Sequence, residues 1–305
     1  MLRRIKFIYS LYNFFHRKQL KHNLLPYKKL GLNKCYFSSV SSKDFKGLNT
    51  PELTADMPKI EGSEIFKESD EETKQSILNY DQNGYIILKN YLSNHEVDAV
   101  NEEIDQLLNS GKVKFRYRNK IMFAIKQSAL LNGIGNQAKL KTFLSLLFDG
   151  EAKLFQSINF LMGSEQKTHS DSIHMTTFPY GGLLGVWIAL EDIGPDNGPL
   201  HYYPGSHKLP YYLNSDYDNE GNAFLIGDKD YTQYELMMEQ KIQEQGLQKE
   251  IFYAKKGDLL IWHANLFHGG EAHLDKTKTR KSMVFHYFNE NCVCYHEITQ
   301  RPSLF

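Results

Sequence analysis

The sequence predicts a mainly β, α+β domain in which a core of short antiparallel strands closes as a barrel or jelly roll, flanked by helices. Three observations carry this. From Leu154 onward the chain breaks into short apolar runs separated by Gly, Pro and Asn turns. In that half, strand and helix patterns do not alternate in the βαβ manner. Ahead of it, between residues 63 and 150, apolar residues recur instead at helical spacing.

Taken in order, residues 1–62 read as a basic N-terminal arm or targeting segment plus linker. Met1 to Lys43 carries ten Lys and Arg, and the first acidic residue is Asp44. Ile5, Ile8, Tyr12 and Phe15 lie at helical spacing, with Arg3, Arg4, Lys6 and Arg17 mostly off that stripe. An acid-free, Arg-containing amphipathic stretch suits a mitochondrial presequence, with Tyr36 to Ser39 as a processing site. It equally suits an arm that packs on the domain or touches an anionic membrane surface. Both readings stand at this stage. Phe45 to Gly62 reads as linker or surface-wrapped chain.

Residues 63–305 form the domain, divided into helical support over 63–150 and a β core over 151–290. Ser69 with Glu72 makes a capping box for a helix from Asp70 to about Asp81, stopped by Asn83-Gly84, and Tyr85 to Leu88 follows as strand. Ser93 with Glu96 repeats the box. Val97, Val100, Ile104, Leu107 and Leu108 then give a helix one apolar stripe to about Ser110. Ala138 to Phe148 fits another helix, ended by Gly150. Val113 to Lys126 interleaves Lys and Arg with aromatics. Snorkelled stems on an edge strand account for it better than a nucleic-acid surface, and its cations also suit an anionic substrate or co-substrate. The strand runs are Leu154 to Met162, Leu184 to Ile193, Leu200 to Tyr203, Ile251 to Ala254, Asp258 to Trp262 and Ser282 to Phe288. Asp218 to Gln245 interrupts them, with Tyr231 to Gln245 helical.

Composition narrows the function. Lys plus Arg and Asp plus Glu are 36 each, so no global charge points to nucleic acid. No apolar run is long enough to cross a bilayer. Cys35, Cys292 and Cys294 form neither a metal spacing nor a disulfide framework, which fits an intracellular, reducing compartment: cytoplasmic, or mitochondrial if residues 1–43 are a presequence.

The chemistry concentrates at His169-Ser170-Asp171, read with His268 and Arg280. On a strand, residues two apart share a face, so His169 and Asp171 present an imidazole and a carboxylate together. A second imidazole from a distant strand completes two His and one carboxylate with an open face, the ligand set of non-haem Fe(II) oxygenases. The same three donors also bind zinc. His174 competes with His268 as third ligand. His263 reads as packing, and His201, His207, His273, His286 and His296 as surface or core hydrogen bonders.

His169-Ser170-Asp171, the segment GVWIALEDIGPDNGPLHYYPGSHKLP (185–210), GDLLIWHANLFHGG (257–270) and Arg280 within TRKS together resemble the phytanoyl-CoA dioxygenase family of Fe(II)- and 2-oxoglutarate-dependent oxygenases. A weaker likeness runs from Glu71 to Leu88, so the resemblance covers roughly 65 to 290. It implies a double-stranded β-helix (jelly roll, cupin-like) core. It implies metal ligands His169, Asp171 and His268, with His268 preferred over His174, and Fe(II), 2-oxoglutarate and O2 as cofactor and co-substrates. It implies Arg280 on the far carboxylate of 2-oxoglutarate, Thr279 and Ser282 as hydroxyl donors, and Trp187 lining the co-substrate pocket. In this fold class insertions such as 218–245 tend to lie over the mouth of the site, although a peripheral loop fits the sequence equally. The implied activity is hydroxylation of an unactivated C–H of a small organic or acyl substrate, giving succinate and CO2. Halogenating relatives lack the carboxylate, so Asp171 favours hydroxylation. The competing readings are a catalytically silent protein of the same fold that binds a metal or small ligand, and a redox-neutral zinc enzyme.

Overall fold

The computed structural model describes residues 4–117 and 119–304; Arg3 of the basic stripe lies outside the described residues. Its strands are β1 (Tyr85–Leu88), β2 (Phe115–Arg116), β3 (Lys120–Met122), β4 (Ala152–Phe160), β5 (Thr176–Phe178), β6 (Leu183–Ala189), β7 (Leu200–Tyr202), β8 (Glu250–Phe252), β9 (Leu259–His263), β10 (His268–Gly270), β11 (Ser282–Asn289), β12 (Val293–His296) and β13 (Arg301–Pro302). Seven form one antiparallel sheet in the order β1-β9-β6-β11-β4-β3-β2, and smaller sheets β10-β7-β8 and β13-β12-β5 accompany it.

Strand alternation sorts the large sheet into two faces. Leu184, Val186 and Ile188 of β6, Leu259 and Ile261 of β9, and Met283, Phe285 and Tyr287 of β11 pack with the helices Asn94–Asn109 and Ala138–Leu147. The opposite parity, Trp187, Ala189, Leu260, Trp262 and Val284, meets Leu200, Tyr202 and Phe252 of the small sheet. Both faces are covered, which is why these strands read as continuous apolar runs rather than alternating ones.

The helical support differs from expectation at one start. Asp70, not Ser69, caps Glu71–Leu78, its carboxylate accepting from the Thr73 amide, while the Ser69 hydroxyl donates to the Ile65 carbonyl of the preceding turn. An ionised acceptor outcompetes a hydroxyl at that position. The Ser93–Glu96 capping box forms. After Leu147 it is Asp149 (φ 45°) that turns left-handed, rather than Gly150.

The N-terminal segment lies against the domain. Helix Lys6–Phe15 begins where Arg4 binds the Ile226 carbonyl and Asp228, and the Asn13 amide donates to the Phe37 carbonyl. Tyr27, Val40 and Phe45 are buried with Phe178, Val293 and Tyr295. No helix among the described residues is long and apolar enough to cross a membrane. The three cysteines are free, and burial pushes the Cys292 and Cys294 thiols up to about 12.

Candidate metal centre

His169 and Asp171 do not sit on a strand as anticipated. His169 forms a two-residue antiparallel bridge with His268: each amide donates to the other's carbonyl at 2.9 Å. Directly opposed residues in such a bridge project to the same side, and the two imidazole centroids are 4.6 Å apart. Ser170 is extended (φ −103°, ψ 149°), so Asp171 returns to the face of His169 before opening the short 3-10 turn Asp171–Ile173. One extended residue thus does the work expected of a strand.

The donor atoms of His169, Asp171 and His268 lie within 4.8 Å of one another. Asp171 Oδ1 is 3.8 Å from His169 Nε2 and 3.7 Å from His268 Nε2. Each Nδ1 lies 2.9 Å from a backbone carbonyl, that of Lys167 for His169 and Leu266 for His268. A carbonyl accepts only, so each Nδ1 carries a proton, which leaves each Nε2 as the nitrogen available to a metal. Burial, with His268 beside it, holds His169 well below its ordinary pKa and therefore neutral. Burial alone would raise the Asp171 carboxyl, but His268, His286 and His169 outweigh it and hold it below the ordinary carboxylate range. Two imidazoles and one carboxylate converging on a point fit a divalent metal.

His174 stands outside this cluster. Its Nε2 pairs at 3.0 Å with the hydroxyl of Tyr231 on helix Tyr231–Glu244, and burial lowers it to about 4. The hydroxyl of Tyr234 on the same helix accepts from the Ser170 amide at 3.2 Å and lies 3.4 Å from Ser170 Oγ. The 218–245 insertion therefore buttresses the ligand loop from behind.

Four residues around the cluster have no role at it on the sequence alone: Trp262 and Gln166 are not among the predicted site residues, His286 reads as a hydrogen bonder, and Lys120 only as one of the cations of residues 113–126. Trp262 Nε1 donates to Asp171 Oδ2 at 2.8 Å, and His286 Nε2 lies 3.5 Å from the same oxygen. The indole fits because Gly185, its cross-strand partner, has no side chain: a Cβ there would stand 2.2 Å from the ring. The Gln166 amide nitrogen is 3.0 Å from His169 Nε2, and its Oε1 accepts from Lys120 Nζ at 3.2 Å. Burial lowers the Lys120 ammonium, against the pull of Asp171. For His286 the signal was present: Arg280, Ser282, Val284 and His286 share the parity of one strand face. Trp262 likewise alternates with Ile261.

Arg280 is 1 % exposed. Its guanidinium lies 5.0 Å over the Trp187 ring, and one terminal nitrogen donates to Ser282 Oγ at 2.9 Å. Nε and the other terminal nitrogen are buried with no hydrogen-bond partner. Burial draws it down to about 10, opposed by Glu191, so it remains charged at neutral pH. A buried fork with two open donors is a receptor for a carboxylate. Ser282 and Trp187 serve by holding this fork. Thr279 does not join them: its hydroxyl donates to Glu191 at 2.7 Å on the outer surface. It lies one residue from Arg280 and so has the opposite strand parity.

The cluster and Arg280 open into one cavity of about 1240 Å³, bordered also by Tyr12, His16 and Gln19 of the N-terminal segment.

A buried two-His, one-carboxylate cluster thus lies on the inner side of an antiparallel two-layer β fold. Comparison then places it more closely. The phytanoyl-CoA dioxygenase family model matches residues 80–282, and the chain belongs to that family. It is 22% identical over 266 residues to the phytanoyl-CoA dioxygenase domain-containing protein 1 homolog of Caenorhabditis elegans, covering 68% of this chain and 88% of that one. It is 22% identical to the peroxisomal phytanoyl-CoA dioxygenase of Bos taurus, covering 70% and 67%. Among solved structures it resembles the non-haem alpha-ketoglutarate-dependent carbocyclase SnoK from nogalamycin biosynthesis (TM-score 0.60, 15% identity, covering 77% and 90%). It also resembles EctD from S. alaskensis with bound Fe (TM-score 0.57, 19% identity, covering 78% and 84%). At these identities the structural likeness speaks for the fold.

Proposed function

We propose that this chain is an Fe(II)- and 2-oxoglutarate-dependent dioxygenase built on a double-stranded β-helix. In this reading it hydroxylates an unactivated C–H of a small organic or acyl substrate. The observation that carries it is the combination, in one cavity, of the His169–Asp171–His268 cluster with a buried Arg280 whose two free donors await a carboxylate. His169 Nε2, Asp171 Oδ1 and His268 Nε2 would hold the iron. Arg280, beside Trp187, would take the far carboxylate of 2-oxoglutarate. When bound, iron, 2-oxoglutarate and O2 together supply oxidative decarboxylation to succinate and CO2 with transfer of one oxygen atom into the substrate C–H bond. The protein contributes orientation: the Lys167 and Leu266 carbonyls fix the two imidazole tautomers, Trp262 fixes the carboxylate, and Ser282 fixes the guanidinium. An ionised Asp171 would fill a ligand position that halogenating relatives lack, which favours hydroxylation over halogenation. A silent or zinc-dependent protein has no use for Arg280's open fork.

The N-terminal segment is better read as an arm that stays with the domain than as a presequence. What supports this is its burial of Leu20, Tyr27 and Val40, and the contribution of Tyr12, His16 and Gln19 to the cavity wall.

The test is 2-oxoglutarate turnover in the iron-loaded protein, scored as succinate formed under O2 with and without candidate substrates. Asp171→Ala is expected to abolish it, at least a hundredfold. Full activity in that variant sinks the assignment.

A further inference from the structure

The chain is electrically neutral, with 36 basic and 36 acidic side chains, yet its cavity is not. Apart from Arg280 it is lined by Lys112, Lys114, Arg116, Lys120, Lys126 and Arg301, whereas its lining carboxylate is Asp171, already facing the two metal-binding imidazoles. Elsewhere several lysines are matched: Lys34 with Asp44, Lys43 with Glu220, Lys255 with Asp192 and Lys256 with Asp98. Among the described residues none of the six cavity cations is paired with a carboxylate.

Their placement follows from local structure. Lys112, Lys114 and Arg116 are of one parity leading into β2, and Val113 between them is buried. In the β2–β3 hairpin Arg116 is directly opposite Lys120. Like charges in that position are destabilising, and here no carboxylate relieves them. Lys120 contacts instead the Gln166 carbonyl oxygen and the Phe160 ring. Across the mouth, Arg301 is stacked 3.6 Å over the Tyr9 ring, with its Nε buried and without a hydrogen-bond partner. These positions line a concave wall that leads to the metal ligands, rather than a convex surface of the kind that tracks a nucleic acid.

We propose that the β2–β3 hairpin and its flanks form an anion-recognition site, and that the substrate is a multiply charged organic anion held there while its reacting part lies at the metal. The inference rests on the oxygenase reading for what happens at the metal, but not for the anion site itself. Arg280 serves the co-substrate, so the anionic group docks at Lys114, Arg116 and Lys120. Opposite charge brought between Arg116 and Lys120 removes their repulsion. Phosphate-type and carboxylate-type groups share this chemistry.

Binding is measured by calorimetry on the full-length, metal-free protein at low ionic strength. Inorganic pyrophosphate and the tricarboxylate tricarballylate are the probes. Metal-free protein avoids chelation of iron by either probe. We expect one site per chain for at least one probe, weakened at least tenfold in the double variant Lys114→Ala/Arg116→Ala and weakened again by added salt. Preference for pyrophosphate assigns a phosphate-type group, and preference for tricarballylate a carboxylate-type one. Binding of neither probe, or equal binding in the double variant, overturns the proposal. So does binding lost in Arg280→Gln but kept in the double variant, which would place the anion in the co-substrate pocket. The anaerobic absorbance of the Fe(II)–2-oxoglutarate complex, recorded on the same double variant, is expected to be unchanged. Its absence from wild-type protein counts against the oxygenase reading and leaves the anion result intact. A thermal melt confirms folding, and the double variant is expected to melt no lower than wild type because a like-charge contact has gone.

Discussion

Asp171 faces two imidazoles through Oδ1 and an indole N–H through Oδ2, so its orientation is set from both sides. Losing Trp262's donor leaves the metal ligands in place but frees the carboxylate to rotate. Trp262→Phe is expected to weaken Fe(II) affinity by about 10- to 100-fold, the usual cost of removing an outer partner of a ligand, as read by metal titration. Gly185→Ala should mimic it without touching the tryptophan, since a Cβ 2.2 Å from the indole must displace the ring. Wild-type affinity in Gly185→Ala would refute this coupling. At Arg280, two charged hydrogen bonds to a carboxylate are each worth about 1.5–3 kcal/mol. Arg280→Gln should raise the 2-oxoglutarate Kd at least tenfold in an anaerobic titration, and an unchanged Kd would remove Arg280 from its role. Other buried histidines set the acid limit of stability. Burial lowers His263 and His296 to about 3 and His207 to about 4. Below the ordinary value of 6.5 the unfolded chain takes up protons that the folded chain refuses, so stability falls as pH drops from about 7 toward 4. The expected result is a Tm that declines steadily over that range. A flat profile would contradict the burial of these rings.

At the scale of elements, caps and parity explain what the sequence disclosed. The Ser93–Glu96 box, the stripe from Val97 to Leu107 and the runs around Val186, Ile261 and Phe285 were legible because period 3.6 and period 2 leave direct marks. Ser69 misled because two capping residues stand side by side and only the ionised one is used. Asp70→Ala is accordingly expected to destabilise the domain by about 1 kcal/mol in denaturant melts, through loss of the Thr73 cap. An undisturbed midpoint would return the cap to Ser69. The candidate cluster of His169, Asp171 and His268 was legible as residue types, but its placement was not. His169 and Asp171 share a face through one extended residue and a bridge to His268, a long-range pairing that no local pattern encodes. His286 and Trp262 were visible only as strand parity, and parity does not say which face meets the cavity. The cations of the β2–β3 hairpin were recognisable as a group. That they border the cavity is a product of tertiary packing.

The whole molecule is neutral, so the excess of cations along its cavity, where Asp171 is the lining carboxylate among the described residues, is balanced by an excess of acidic side chains elsewhere. The N-terminal segment belongs to this architecture. Tyr27, Val40 and Phe45 cover Phe178, Val293 and Tyr295, and Tyr12 and His16 reach the cavity wall. Removal of residues 1–45 is therefore expected to lower Tm by several degrees and to weaken 2-oxoglutarate-dependent turnover. A truncated chain of undiminished stability and activity would show the segment to be dispensable, as a cleaved presequence is. The central claim, that His169, Asp171, His268 and Arg280 assemble one cofactor site, is tested most directly by adding Fe(II) and then 2-oxoglutarate anaerobically to the metal-free protein and recording visible absorbance. The expected result is a weak charge-transfer band that needs both components and is absent in Asp171→Ala. Stoichiometric Fe(II) or zinc binding with no band on addition of 2-oxoglutarate would contradict it and favour a silent or redox-neutral metal protein.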